Sequence, residues 1–212
     1  ADADVDVNVD ANVDVDADVD VDADVDVDVD IDALSAPVNT FAKDLFKVIS
    51  QSTEGNVFFS PFSIAATLAM LHMGSKENTE KQIMTGMHLP QDKELIKKAF
   101  HNVLSNYKRS GNPYQLFTSN LIYIQERFQV KDDFLNSLKY FLASIKRVNF
   151  GEAQKVANEI NKTVEEITKS KITNIVSPGL IFYMIHSKPT YEEIIYPSFL
   201  PHLVYKNILL WF

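Results

Sequence analysis

The sequence predicts an α+β fold, and three observations carry that expectation. Six segments between Val38 and Lys169 repeat apolar residues at the helical i, i+3, i+4 spacing. About three others, Val57–Phe59, Tyr114–Glu126 and Arg147–Phe150, are short and rich in aromatic and β-branched residues, as strands are. Ahead of all of them stands a low-complexity run, residues 1–33, in which Asp alternates with Val or Ala and which offers too little apolar bulk for a core.

The elements follow in order. Val38, Phe41, Ala42, Leu45, Phe46 and Ile49 predict an amphipathic helix over about 39–51, broken at Gly55-Asn56. Val57–Phe59 is expected to be a short buried strand. Ser60-Pro61 then starts a helix, with Ser as N-cap and Pro at N1, where a missing N–H costs nothing. Ile64 to Met73 is apolar nearly all round, so this helix is expected to be buried on most sides, with Gly74 as its stop. Another helix begins near Asn78-Thr79 and ends before Leu89-Pro90. Asp92 caps the next, whose inner face is Leu95, Ile96, Ala99, Phe100, Val103, Leu104 and Tyr107. After the turn Ser110–Pro113 comes Tyr114–Glu126, apolar on both parities and so expected to be a long strand buried on both faces. Asp132-Asp133 opens a helix to about 143, with Phe134, Leu138, Phe141, Leu142 and Ile145 inward. Glu152 to Lys169 is helical again, lined by Ala153, Val156, Ala157, Ile160, Val164 and Ile167. Three strands are too few to cover six such helices, so their apolar faces are expected to stay partly bare and the chain to be aggregation-prone or molten.

Charge divides the chain. The 212 residues hold 20 Lys and Arg, 29 Asp and Glu and no Cys. Residues 1–32 contain 14 Asp and no base; 29 acids less those 14 leave 15 against 20 bases, so the rest carries +5. The formal −9 is therefore a property of the leader. As a strand, the leader would place like charges about 7 Å apart on one face, inside a Debye length of about 8 Å. Self-repulsion and chain entropy oppose that order, and a disordered tract is expected. A calcium loop needs Gly at its sixth position, and the first Gly of the chain is Gly55. Two-letter regularity of this kind also arises by translation of a short nucleotide repeat.

Several chemistries are not signalled. Without Cys there is no disulfide framework, thiolate metal site or cysteine nucleophile. The five His show no metal spacing, and no GxSxG, GxGxxG or P-loop occurs, so neither a metal nor another cofactor nor enzymatic activity is expected. No basic and aromatic residues interleave as in a nucleic-acid module, and no apolar run reaches membrane-spanning length. Ala1 opens the chain without a leader of signal-peptide form, so a signal is expected to have been removed or to lie outside these residues. Asn161-Lys162-Thr163 is the one glycosylation sequon; inside a helix it is expected to serve packing rather than carry a glycan.

The order Asn56-Val57-Phe58-Phe59-Ser60-Pro61-Phe62-Ser63-Ile64, Leu68–Gly74 and Thr79-Glu80-Lys81-Gln82-Ile83 resembles the N-terminal half of a serpin. Ser119–Tyr123, Val148-Asn149-Phe150 and Ile160–Ile172 extend the resemblance collinearly over about 38–178. Thr163 stands where the family usually has Trp, and Glu77 where it often has Gly. The resemblance implies an incomplete serpin fold: N-terminal helices plus two or three strands. It also implies the family function of serine-protease inhibition, with a serine protease as partner of the full-length member and an extracellular location. Asn56, Ser60 and Ser63 match the region over which the large sheet opens, although an N-cap accounts for Ser60 by itself. Lys93, Lys97, His101 and Lys108 lie roughly on one face of the helix that binds sulfated glycans in some members, although a solvated helix face accounts for them as well. From Gly179 onward the alignment fails, and residues 179–212 read as an aromatic-rich tail foreign to the fold, as translated non-coding sequence would be. The family's remaining strands, hinge and reactive loop are not among these residues, so the chain is expected not to inhibit. The alternative is a non-inhibitory serpin-derived polypeptide that binds a partner through its acidic leader or basic helix face.

Overall fold

The computed structural model describes residues 32–52, 54–108, 118–186 and 208–211. The expected disorder of the acidic leader, the start of the long strand and most of the aromatic-rich tail lie outside them. The elements are α1 (Asp32–Ser52), α2 (Pro61–Gly74), α3 (Glu77–Gly86), α4 (Lys93–Lys108), β1 (Asn120–Gln125), α5 (Asp132–Lys139), β2 (Ala143–Val148), α6 (Ala153–Ile167), α7 (Pro178–His186) and β3 (Ile208–Trp211).

The three strands form one parallel sheet in the order β2-β1-β3. Asn120 pairs with Ala143 and Gln125 with Val148 on one side; Leu121 pairs with Ile208 and Ile124 with Trp211 on the other. Alternation along β1 then divides the core. Ile122 and Ile124 face a cluster built from α1, α2, α4 and α5, including Ile64, Met70, Ile96, Phe100 and Phe141. Leu121 and Tyr123 face a second cluster with Val156, Ala157, Ile160 and Val164 of α6 and Ile181 of α7. Helices thus cover both faces of β1, as parallel sheets require. The bare helix faces expected from the strand count are found in part among the described residues: Phe46, on the expected inner face of α1, is 50% exposed. Helix packs on helix, and the large apolar side chains left exposed are few, Phe46, Val48, Phe58, Phe128, Phe182 and Tyr183.

Ser60 caps α2 as expected: its Oγ accepts from the Ser63 N–H at 3.3 Å, and Pro61 sits in the first turn. Asp92 caps α4, its Oδ1 accepting from Glu94 N at 2.8 Å and Leu95 N at 3.2 Å. Helix α2 touches α1, α3, α4 and α5, which is why its sequence is apolar nearly all round. Gly74 differs in role from the expectation. It is the last helical residue rather than a left-handed stop, and a Cβ there would lie 2.8 Å from Cδ2 of Phe134, so glycine permits the approach of α5.

Four expectations need correction. Val57–Phe59 is not a strand, and Phe58 is 80% exposed: no strand among the described residues lies beside it to pair with. Helix α1 begins at Asp32, seven residues earlier than its apolar stripe suggests, and carries Pro37 and the buried Leu34. Helix α5 stops at Lys139, because Leu142 at φ +50° swings the chain into β2. The tail over 179–212, read as foreign to the fold, contributes most of α7 and all of β3.

Glu77 adopts φ +53°, a left-handed conformation that favours glycine. Glu77→Gly is expected to stabilise the protein by about 0.5–1 kcal/mol, the relief of a side-chain clash less the entropy glycine loses. A rise in the urea midpoint at unchanged slope checks it.

Candidate functional site

Three places could bear on function: the α2 N-terminus, the α4 face, and the interface of the sheet with α6.

At the first, Asn56 and Ser60 are exposed and Ser63 is half-buried. The Ser60 hydroxyl donates to Ser63 Oγ at 2.9 Å while accepting from its N–H. These bonds close the helix end and are those of an N-cap. Asn56 belongs to the extended segment before the helix.

On α4, three of the four suggested cationic positions are already engaged. Lys93 Nζ lies 2.8 Å from Glu80 and donates to the carbonyl of Ser75 at 3.1 Å. Lys97 is 2.7 Å from Glu94, sits 4.8 Å over the Tyr140 ring, and has a side chain only 12% exposed. His101 Nδ1 is 3.1 Å from the Tyr140 carbonyl and its ring meets Tyr140 edge-on. The side chain of Lys108 lies outside the described residues. The face is therefore not a row of free cations.

On α2 itself a polar side chain is buried, on a helix whose sequence is apolar nearly all round. His72 is 1% exposed; its Nε2 has no hydrogen-bond partner, and its Nδ1 is 3.5 Å from Ser75 Oγ. Burial holds its pKa below the ordinary 6.5, with Lys93 adding to the effect and Glu80 opposing it. The unfolded chain takes up this proton below about pH 6.5 while the folded chain resists it. Stability from this group is thus complete above that pH and falls as the pH drops towards the folded value. His72→Gln is expected to flatten the loss of thermal stability between pH 6.5 and 5, measured against the parent chain in one buffer series.

Between β1, β2 and α6 lies a small polar group. Tyr123, fully buried, has a hydroxyl without a hydrogen-bond partner of good geometry. Burial raises its pKa, with the nearby Thr163 hydroxyl opposing and Glu159 adding. Lys146 Nζ lies 3.5 Å from Thr163 Oγ1 and 3.7 Å from Glu159. A large apolar residue in place of Thr163 would cover this spot; with Thr it is polar instead. Asn161, two residues earlier, is fully engaged. Its Nδ2 donates to the Val176 carbonyl at 2.8 Å and to Asn174 Oδ1 at 3.1 Å. Its Oδ1 accepts from Ile175 N at 2.8 Å and Val176 N at 3.0 Å. The sequon asparagine clamps the loop between α6 and α7. No group of three or more His, Asp or Glu that could hold a metal occurs among the described residues, and none of their helices is long and apolar enough to cross a membrane.

Comparison with known proteins places this arrangement. The model of the family described as Serpin (serine protease inhibitor) matches residues 36–182, four residues past the end of the collinear resemblance and into α7. Ipis-1 of Ixodes persulcatus is 38% identical over 154 residues, covering 70% of this chain and 40% of that protein. Alpha-1-antitrypsin of Meriones unguiculatus is 36% identical over 141 residues, covering 64% of this chain and 35% of that protein. The solved structure of cleaved Serpin 42Da superposes with a TM-score of 0.62 at 30% identity, over 70% of this chain and 40% of the other. The chain therefore spans about two fifths of the length of these relatives. With the family model covering residues 36–182 and 70% of the chain superposing on a solved member, this chain belongs to the serpin family.

Proposed function

We propose that these 212 residues carry the helical scaffold of a serine-protease inhibitor and, by themselves, do not inhibit. The domain reading that goes with it is a low-complexity leader over 1–33, a partial serpin domain over 34–178, and a tail over 179–212. The observation that supports it is the sheet. Serpin inhibition adds the cleaved reactive loop as a strand to a large sheet, which needs an exposed loop, a hinge and central strands that part. Here the sheet has three strands among the described residues, and the third is contributed by residues past the family match. Residues 183–212 contain no stretch resembling hinge or loop. Asn56, Ser60 and Ser63 would then be the remnant of the sheet-opening region, serving here as a helix end. A longer product containing these residues would meet its serine protease outside the cell, as the extracellular members do.

The reading in which a basic α4 face binds a polyanion is not favoured, because Lys93, Lys97 and His101 are already partnered. Incubation of the chain with a panel of serine proteases is expected to leave every protease active and to give no SDS-stable adduct. A covalent adduct with any of them overturns the proposal.

A further inference from the structure

The seam between α6 and the sheet is apolar along Val156, Ile160 and Val164, all buried, and polar at one point. Tyr123 of β1 and Lys146 of β2 are partners across the ladder, so their side chains stand on the same face, the one α6 covers. Glu159 and Thr163 lie four residues apart on α6 and so share one face of it. The four polar groups approach one another without closing. Lys146 Nζ is 3.5 Å from Thr163 Oγ1 and 3.7 Å from the Glu159 carboxylate. The Thr163 hydroxyl is near that of Tyr123, yet the two make no bond of good geometry. Tyr123 is fully buried, and its hydroxyl finds no other protein partner among the described residues. A buried hydroxyl left in that state is rare, because its lost bond to water is not replaced. Polar atoms held at or beyond 3.5 Å from one another are a common sign of a molecule shared between them.

The chemistry of the place decides what it takes. The Lys146 ammonium donates, the Glu159 carboxylate accepts, and the two hydroxyls do either. A simple anion would meet Glu159, and a metal cation would meet Lys146. A small neutral molecule that both donates and accepts suits all four, and a water makes two to four such bonds when buried. We propose that Tyr123, Thr163 and Lys146 hold a water molecule that fastens α6 to the sheet, with Glu159 as its outer neighbour. The water accepts from Lys146 Nζ and exchanges hydrogen bonds with the two hydroxyls, each about 2.8 Å away. Packing then holds α6 along its apolar row and a bridging water holds it at one point. The site does not depend on whether the chain inhibits a protease.

The sign of one substitution tests this. Tyr123→Phe, Lys146→Met and the double variant of the full chain are unfolded in urea beside the parent. If a water satisfies the hydroxyl, Tyr123→Phe removes a made bond and is expected to lower the folding equilibrium constant about fivefold. If the hydroxyl is dry and unpaired, the same change relieves a buried polar group and raises stability; that rise overturns the proposal. Tyr123 and Lys146 make no direct bond with each other, so their effects add unless something between them is shared. Tyr123→Phe is therefore expected to cost clearly less in the Lys146→Met chain than in the parent, and simple additivity overturns the proposal as well. A high-resolution crystal structure of the parent gives a second reading that needs no variant. One ordered water within hydrogen-bonding distance of Tyr123 Oη is expected. A direct Tyr123–Thr163 bond with no water beside it overturns the proposal, even where the urea results show coupling.

Discussion

Phe100→Ala is expected to remove about 3–5 kcal/mol of stability, enough to leave little of a marginal domain folded. The reason is position as much as size. Phe100 is fully buried on α4, and its ring meets Phe62 of α2 at 5.7 Å and Phe141 of the turn before β2 at 5.4 Å. Phe62 in turn meets Tyr107 edge-on at 5.6 Å. One side chain therefore joins three parts of the structure, and aromatic contacts add to the area it buries. Truncation takes away the ring and leaves a cavity whose walls belong to different helices and cannot all close on it. The exposed Phe58 supplies the contrast: at 80% exposure its replacement by alanine should change stability by less than about 0.5 kcal/mol. Urea unfolding followed by far-UV circular dichroism separates the two. Equal midpoints for the two variants would mean that the aromatic bridge does not hold α2, α4 and β2 together.

That contrast also shows where the sequence speaks and where it is silent. The inner faces of α4 and α6 are readable because period and burial coincide: Ile96, Ala99, Phe100 and Leu104, and Val156, Ala157, Ile160 and Val164, all lie in the core. The two caps are readable because Ser-Pro and Asp leave a chemical mark at a helix start. Ser177-Pro178 bears the same mark, with Leu180 N donating to Ser177 Oγ at 3.1 Å, and α7 could have been found from it. Val57–Phe59 misleads for the opposite reason. Its composition is that of a strand, but a strand exists only where another offers its edge, and that is not a local property. Glu77 and Leu142 adopt left-handed φ against their own preference, so no single-sequence rule locates those turns. β3 could not be read either, since four apolar residues carry no sign of which edge they will meet. Of the candidate sites, the helix-end pair Ser60 and Ser63 was legible as a cap. The engagement of Lys93 and Lys97 was not, because Glu80 and Tyr140 come to them from other elements.

The second large effect is expected at Asn161, where a glycosylation signal and a structural clamp share one residue. Replacement by alanine leaves two backbone N–H groups, of Ile175 and Val176, without the acceptor they now share, and frees the Val176 carbonyl as well. Val176 is buried and belongs to the cluster that holds α6 against β1, so water reaches these groups poorly. Each orphaned group costs about 1–3 kcal/mol, and Asn161→Ala is expected to lose about 2–4 kcal/mol. The sequon permits a clean separation of the two roles. Thr163→Ala also abolishes the glycosylation signal but leaves every bond of Asn161 in place; it removes the 3.5 Å contact with half-exposed Lys146 and the weak approach of the Thr163 hydroxyl to that of Tyr123. Its cost is expected to stay under about 1 kcal/mol. If the asparagine is a clamp, Asn161→Ala falls well below Thr163→Ala in unfolding midpoint, whether the chain is made in cells that glycosylate or in cells that do not. Equal losses from both substitutions, seen only in glycosylating cells, would show instead that a sugar and not the loop is what Asn161 holds.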